Sequence, residues 1–304
     1  MEIQKVSFVG CGALGIMYAS HMRKTLPYSQ VQFIAGQDRI DRYRNAEFYA
    51  NDVRQSFQFV SPDEPGQPSD LMIFTVKSYG LDAAAALVKK HIGENTVILS
   101  FLNGISSEEV IGKTYNPAKI IHSIVAGMDP LKTGTAINFK HMGYIAFGGL
   151  PCNEPEDIDR LARFFDRVQI KYEIRKDIIK EIWWKFMLNI GINQTTALLR
   201  STYGLFQNSV HAENIMLMAM REAYEVSQKL HIGLEERDFD SVIATIKALS
   251  PDGKTSMYQD IEAKRPTEID IFAGKLIALA MEYDVPVPIN TFLYNAIKAL
   301  ESRN

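Results

Sequence analysis

A glycine motif near the N-terminus constrains this chain more than any other stretch. The apolar residues Val6–Val9 run directly into Gly-Cys-Gly-Ala-Leu-Gly, which has the spacing G-x-G-x-x-G. A helical pattern follows, and a second apolar run begins at Val31. The motif therefore stands at the strand-to-helix turn of a βαβ unit, where such glycines bind a dinucleotide. The candidate cofactor-binding residues of this loop are Gly10, Cys11, Gly12, Ala13, Leu14 and Gly15.

Each glycine of the motif has its own physical purpose. The first allows a tight turn, the second lets a pyrophosphate approach the backbone, and the third lets the helix pack on the strand. Phosphate charge then lies at the helix N-terminus, where free N–H groups attract anions. A glycine turn of purely structural use is the alternative interpretation.

The end of the second predicted strand bears on the choice of dinucleotide. NAD sites usually carry Asp or Glu there for the ribose 2′-hydroxyl. This chain has Ala35 and Gly36 at that point, and Arg39 follows three residues after Gly36. Arg39 suits a 2′-phosphate, so we predict NADP (NADPH) as the cofactor. The alternative is that Arg39 is a surface residue of the next helix.

Two further polar residues follow apolar strands. Lys77 ends the continuous apolar run 71–76, and Asn103 follows the run 96–101. Ligands of open α/β sheets bind at the carboxyl ends of strands, so both are candidate cofactor-binding residues. A solvated lysine and a left-handed turn asparagine are the respective alternatives.

The segment 181–199 carries the most unusual polar pattern. Lys185, Asn189 and Asn193 recur at i, i+4 and i+8, which places them on one face of a helix. The residues between them are almost all apolar, and such a helix is normally buried. The polar stripe is then expected to face a cleft or buried partners. A solvated stripe on a half-exposed helix is the alternative.

The order of the patterns predicts the domain organisation. Strand-like runs alternate with helical ones up to about residue 176, and helical periodicity alone continues from residue 177. We predict an α/β chain with an N-terminal Rossmann-type doubly wound sheet, residues 1–176, followed by an all-α C-terminal domain for substrate and dimerisation, residues 177–304. Within the latter, Thr267 and Asp270 resemble a capping box at a helix start.

Composition excludes several classes of function. A formal charge of −3 argues against nucleic acid, and no apolar run is long enough for a membrane span. The cysteines, Cys11 and Cys152, are too few for a disulfide framework, which is typical of a cytoplasmic protein. The histidines form no metal-binding pair, so we expect no metal.

Taken in order, these motifs match a known pattern. The chain resembles the ketopantoate reductases (2-dehydropantoate 2-reductases) over essentially its whole length. The matching positions are Gly10, Gly12, Gly15, Lys77, Leu102, Asn103, Gly104, Lys185, Asn189, Asn193, residues 255–260 and residues 267–270.

The resemblance implies a role for each candidate residue. Lys185 is the catalytic proton donor, and the substrate is bound by Asn189, Asn193 and Ser256. Lys77, Asn103 and Glu268 lie along the cofactor and its nicotinamide end. The implied activity is NADPH-dependent reduction of 2-dehydropantoate, a small 2-keto acid, to (R)-pantoate in pantothenate and coenzyme A biosynthesis.

Two departures from the family pattern keep alternatives open. Gly36 stands where an arginine is common, and Tyr203 stands where many members have a substrate-binding asparagine. An NAD(P)-dependent D-2-hydroxyacid dehydrogenase acting on other branched 2-keto acids is therefore one alternative. A non-catalytic dinucleotide-sensing protein is another, although it has no use for the stripe on segment 181–199. The oligomeric state is not readable from the sequence, and a homodimer is compatible with it.

Overall fold

The glycine motif follows an inner strand of an eight-stranded sheet in the computed structural model, which describes residues 2–64 and 66–303. The chain divides into two units, Met1–Ile178 and Ile179–Asn304. The strands of the first unit are β1 Val6–Val9, β2 Val31–Ile34, β3 Phe48–Ala50, β4 Val53–Gln55, β5 Gln58–Val60, β6 Leu71–Phe74, β7 Val97–Ser100, β8 Ile120–Met128, β9 Leu131–Thr133, β10 Ala136–Asn138, β11 Met142–Gly148 and β12 Tyr172–Ile174. Its helices are α1 Ala13–Met22, α2 Gln37–Arg44, α3 Leu81–Leu87, α4 Ser107–Gly112 and α5 Pro155–Arg167.

The large sheet is doubly wound. Its strand order is β12-β11-β8-β7-β6-β1-β2-β5, and the strands from β8 to β5 are parallel. The chain builds outward from β1 to β2 and β5, then returns to the other side of β1 with β6. Because the direction of winding reverses between β1 and β6, their carboxyl ends flank the crevice where such sheets bind ligands. The predicted Rossmann-type sheet is confirmed.

The central strands are buried on both faces, as their continuous apolar sequences predict. Phe8, Ile73 and Leu99 belong to one core cluster, whereas Val9 and Phe74 belong to another. The register also aligns the strand ends: Val9 pairs with both Ile34 and Phe74. Phe74 in turn pairs with Ser100. The loops after β1, β2, β6 and β7 therefore start along one line at the same edge.

The glycine-containing segment 127–143 contributes two strands to a second sheet. Its flanks, β8 and β11, pair as an antiparallel hairpin, with Met128 opposite Met142. Between them, β9 and β10 join β3 and β4 in a second sheet of order β4-β3-β10-β9, which packs on α1. Each of these strands has only three residues, too few to show a periodic pattern.

The regular structure described in the second unit is helical, which confirms the predicted all-α C-terminal part. Its helices are α6 Ile178–Leu199, α7 Tyr203–Asn208, α8 Val210–Lys229, α9 Arg237–Ala248, α10 Ser256–Glu262, α11 Ala273–Glu282 and α12 Pro288–Glu301.

Gly191 lies inside α6 despite its poor helix propensity because another helix passes close to it. A Cβ at this position would stand 2.6 Å from Met220 Cγ and 2.9 Å from Met216 Cγ, both on α8. The glycine therefore allows α6 and α8 to approach closely.

The capping box predicted at Thr267 is wrong. Thr267 donates from its backbone N–H and its hydroxyl to Glu301 Oε1, at 2.7 and 2.6 Å. Asp270 accepts from Tyr294 and Lys298 of α12. A short 3-10 turn, Ile269–Ile271, follows, and α11 begins only at Ala273. The Thr267 hydroxyl still accepts from the Ile269 N–H at 3.3 Å, but contacts with α12 occupy the groups that a capping box would pair.

Candidate active site

The loop after β1 is shaped by contacts with Thr75, which follows β6. Gly10 has a φ of +107°, and a Cβ on it would lie 2.7 Å from the Thr75 carbonyl carbon. The Thr75 hydroxyl donates to the Gly10 carbonyl oxygen at 2.6 Å. In the sequence, Thr75 lies inside the apolar run 71–76 and was given no role there. These contacts fasten the loop to the neighbouring strand end.

Gly15 and Gly12 differ in what surrounds them. A Cβ on Gly15 would stand 2.3 Å from the Gly10 carbonyl oxygen and 2.8 Å from Thr75 Oγ1. Within the described residues, a Cβ on Gly12 would meet only the Thr75 carbonyl oxygen, at an ordinary 3.5 Å. Protein packing therefore explains Gly15 but leaves the space beside Gly12 open. That is the arrangement expected where a diphosphate approaches the backbone.

Cys11, between these glycines, has a thiol of low reactivity. Burial raises the pKa of its thiol to about 12, and the ammonium of Lys132 on β9 opposes this by a smaller amount. A thiol with a raised pKa is a poor nucleophile. The second sheet thus brings a positive charge near the glycine loop, which sequence reasoning missed.

The end of β2 leads into α2 through Gly36, which is the N-cap residue of that helix. Arg39 lies in the first turn of α2 and is exposed. In the described part of the chain no acid stands directly at the β2 end, since Ala35 and Gly36 occupy it.

Lys77 and Asn103 lie at the carboxyl edge shared with the glycine loop. Lys77 precedes a 3-10 turn, Ser78–Gly80, and is half-buried. Asn103 occupies the loop between β7 and α4, and the left-handed residue of that loop is Gly104, with a φ of +91°. Asn103 is absent from the described positive-φ residues, so its side chain is not explained by a left-handed turn position.

The stripe on α6 lies in a buried helix. Asn189 and Asn193 are only 7% and 6% exposed, and Lys185, one turn earlier, is half-buried. Asn193 Nδ2 donates to Asn189 Oδ1 at 3.4 Å, a long contact. Asn189 Nδ2 is buried and has no hydrogen-bond partner in the described part of the chain. An unsatisfied buried donor is costly, so this amide is suited to a ligand oxygen.

Ser256 is held near the same helix by a pair of threonines. Thr255 caps α10 by accepting from the Tyr258 N–H at 3.2 Å. The hydroxyls of Thr255 and Thr196 are 2.7 Å apart, and Thr196 lies three residues after Asn193 on α6. Ser256, the exposed first residue of α10, is thereby fixed beside the Asn193 end of α6. Thr255 lies in the matching segment 255–260 but was given no role there, and Thr196 was not identified from the sequence.

Two other positions complete this region of the second unit. Glu268 is 6% exposed and follows Thr267, which is anchored to Glu301. Tyr203 begins α7 and donates its backbone N–H to the Gly253 carbonyl oxygen at 3.0 Å. Burial raises the pKa of Tyr203 to about 12, so its hydroxyl is neutral. Tyr203 therefore lines the loop that leads to Ser256.

Within residues 2–64 and 66–303, no group of three or more His, Cys, Asp or Glu side chains is placed to hold a metal ion. Over the same ranges, no helix combines the length and apolar character needed to cross a membrane.

The features of the two units define a class of protein. Its members have a Rossmann-type unit with a glycine loop at the switch point of the sheet, followed by an all-helical unit. Comparison with family models refines this. The ketopantoate reductase PanE/ApbA model matches residues 6–151, and the model of the C-terminal part of that family matches residues 177–301. The chain belongs to the ketopantoate reductase family, which is a family of oxidoreductases.

Curated relatives agree with this assignment. The chain is 29% identical to a 2-dehydropantoate 2-reductase of Pyrococcus horikoshii over 238 residues, which is 78% of each protein. It is 25% identical to a 2-dehydropantoate 2-reductase of Aquifex aeolicus over 308 residues, covering 99% of this chain and 98% of the relative.

Solved structures share the fold at lower identity. A ternary complex of D-mandelate dehydrogenase with NADH and anilino(oxo)acetate has a TM-score of 0.87 at 22% identity, covering 98% of this chain and 99% of that one. A dimeric ketopantoate reductase from Staphylococcus aureus has a TM-score of 0.80 at 22% identity, with the same coverage.

Proposed function

We propose that this protein reduces 2-dehydropantoate (ketopantoate) to (R)-pantoate with NADPH, in pantothenate and coenzyme A biosynthesis. Family membership supports the reaction class. The observation that carries the proposal is the buried Asn189 amide on α6, which has no partner in the described part of the chain and is in line with Lys185 and Asn193. A polar 2-keto acid would satisfy that donor.

The first unit would bind the dinucleotide. The space beside Gly12 and the N-terminus of α1 suit a pyrophosphate, because free helix N–H groups attract anions. Lys77 and Asn103 lie on the same sheet edge as this loop, and Glu268 of the second unit is proposed for the nicotinamide end. The absence of an acid at the β2 end, with Arg39 in the following helical turn, favours a 2′-phosphate and therefore NADPH.

The chain's own residues account for the acid step. When bound, the reduced nicotinamide supplies the hydride that adds to the carbonyl carbon of the keto acid. Lys185 would hold a proton on Nζ and transfer it to the carbonyl oxygen as negative charge develops there. Asn189 and Asn193 would orient the substrate hydroxyl and carbonyl groups, and Ser256 would donate to the carboxylate.

The test is a comparison of substrates and cofactors. We expect kcat/KM for ketopantoate to exceed that for 2-keto-3,3-dimethylbutyrate by up to about 10⁴-fold, because a site that hydrogen-bonds a hydroxyl rejects the analogue lacking it. NADPH is expected to be preferred over NADH. Equal turnover of ketopantoate and 2-keto-3,3-dimethylbutyrate would reject the pantothenate assignment.

A D-2-hydroxyacid dehydrogenase acting on other branched 2-keto acids is the second candidate. It is favoured by Tyr203, whose large ring stands where an amide is expected, and by the fold shared with D-mandelate dehydrogenase bound to NADH. The same substrate panel discriminates the two, since this candidate predicts better activity with bulky acids that lack the distal hydroxyl.

The assembly and the domain boundary belong to the same proposal. We infer a homodimer, because a solved family member from Staphylococcus aureus is described as dimeric. We also propose that residues 177–304 form the domain for substrate binding and dimerisation. Light scattering of the purified protein measures its mass. A value near 34.3 kDa, the mass of one copy, would contradict the dimer.

A further inference from the structure

A chain of buried hydrogen bonds lies behind the loop that carries Asn103. The Leu102 N–H donates to Ser100 Oγ at 3.3 Å, and the Ser100 hydroxyl donates to Ser107 Oγ at 2.8 Å. The Ser107 hydroxyl then donates to Glu108 Oε2 at 2.7 Å. Ser100, Ser107 and Glu108 are between 0% and 8% exposed. Every link thus donates toward one buried carboxylate.

These hydrogen bonds connect the two ends of the loop 101–106. Ser100 is the last residue of β7, and Ser107 and Glu108 are the first two residues of α4. The backbone of the loop is also held to the sheet, since the Phe101 N–H donates to the Phe74 carbonyl oxygen at 2.9 Å. Asn103, at the partly exposed tip, therefore takes its position from a base fixed by these buried bonds.

The hydrogen bond from Ser107 to the Glu108 carboxylate is the strongest of the series. Hydrogen bonds to an ionised acceptor are roughly twice as strong as neutral ones, and a buried carboxylate deprived of its donor is costly. His122 of β8 lies near Glu108, but burial lowers the pKa of His122, which favours its neutral form. Ser107 is thus the link that joins the charged end to the loop.

We propose that Ser100, Ser107 and Glu108 are positioning residues, which hold loop 101–106 in the conformation that lets Asn103 meet the dinucleotide. This inference rests on the proposed function. It assigns to these residues an effect on cofactor affinity that acts through Asn103 and leaves the chemical step alone.

The decisive variant is Ser107→Ala, which removes the hydroxyl that links Ser100 to Glu108. We expect the dissociation constant and the KM for NADPH to rise about tenfold, with kcat changed less than about twofold at saturation. Ser107→Thr keeps the hydroxyl and is expected to restore most of the affinity. Should Ser107→Ala be too unstable to assay, Glu108→Gln keeps the shape and removes the charge, and a rise of about threefold is expected.

Ser123→Ala is the matched control. Ser123 is equally buried and donates to the Ser100 carbonyl oxygen at 3.0 Å, but it is outside the donor chain. If Ser123→Ala raises KM as much as Ser107→Ala, or if Ser107→Ala leaves NADPH binding unchanged, the positioning role is rejected while the proposed function stands. Failure of the unmutated protein to bind NADPH or NADH would instead reject the proposed function.

Discussion

Gly12 and Gly15 are glycines for two different reasons at the scale of single residues: Gly15 is required by packing, and Gly12 leaves space for a ligand. A methyl group on Gly15 would collide with the Gly10 carbonyl oxygen at 2.3 Å, whereas one on Gly12 would lie an ordinary 3.5 Å from the Thr75 carbonyl oxygen. Overpacking costs about 1–3 kcal/mol, so we predict a lower melting temperature for Gly15→Ala. Gly12→Ala is expected to melt like the unmutated protein but to bind NADPH at least about tenfold more weakly. Unaltered NADPH binding by Gly12→Ala would contradict the pyrophosphate position.

Lys185 is the residue on which the proposed chemistry depends most. Lys185→Ala is expected to lower kcat by about 10²–10⁴, the range supplied by general acid catalysis, with little change in NADPH affinity. Lys180→Ala is the control on the same helix, because Lys180 pairs with Glu235 and Asp238 at 3.3 Å. Retention of most of the activity by Lys185→Ala would return this lysine to a structural role.

Arg39 tests the cofactor preference. Arg39→Ala would remove the proposed charge-assisted hydrogen bonds to the 2′-phosphate, worth about 1.5–3 kcal/mol, so the KM for NADPH is expected to rise about tenfold or more. The KM for NADH should stay nearly unchanged, because NADH has no 2′-phosphate. Arg42→Ala, at another exposed position of α2, is the control. Parallel changes for both cofactors would show that Arg39 does not read the 2′-phosphate.

At the scale of elements, one carboxylate joins two helices of the second unit. Glu222 of α8 is 6% exposed and accepts from the backbone N–H groups of Ile289 and Asn290, at 2.7 and 2.8 Å. It also accepts from Asn290 Nδ2 at 2.7 Å. These N–H groups belong to the first turn of α12, where no intrahelical acceptor exists. Glu222 thus caps α12 from a neighbouring helix.

Glu222→Ala is therefore expected to cost about 3–5 kcal/mol of unfolding free energy, because it leaves buried donors without their charged acceptor. Urea unfolding followed by circular dichroism measures the change. Glu225→Ala, at an exposed position on the same helix, is expected to cost less than about 0.5 kcal/mol. Equal effects of the two substitutions would contradict the cap.

At the scale of the whole molecule, buried histidines make stability depend on pH. His91 is 2% exposed, and burial lowers its pKa below the ordinary value of 6.5. Burial also lowers the pKa of His122. The unfolded chain therefore binds more protons than the folded one below pH 6.5, so the unfolding free energy decreases as the pH falls through that value.

We predict a lower unfolding midpoint in urea at pH 5.5 than at pH 7.5, and a smaller difference for His91→Gln. His211→Gln, at an exposed position, serves as the control and should keep the full difference. An unchanged pH dependence in His91→Gln would show that other groups cause it.

Local patterns in the sequence determined the main architecture and part of the candidate site. Apolar runs and the glycine motif predicted the central strands and the βαβ turn, because burial on both faces and a tight turn restrict the residue types at each position. The spacing of Lys185, Asn189 and Asn193 likewise predicted one helix face, since helical geometry alone brings i, i+4 and i+8 together.

Only the tertiary structure decided how distant segments pair. The second sheet joins three-residue strands from residues 48–55 and 131–138, which carry no periodic signal of their own. Thr75 fastens Gly10, and Thr255 meets Thr196, across 65 and 59 residues of chain. Thr267 binds Glu301 of α12, which overrode the local capping pattern. Such partners arise from packing, and packing depends on which surfaces meet after the local elements have formed.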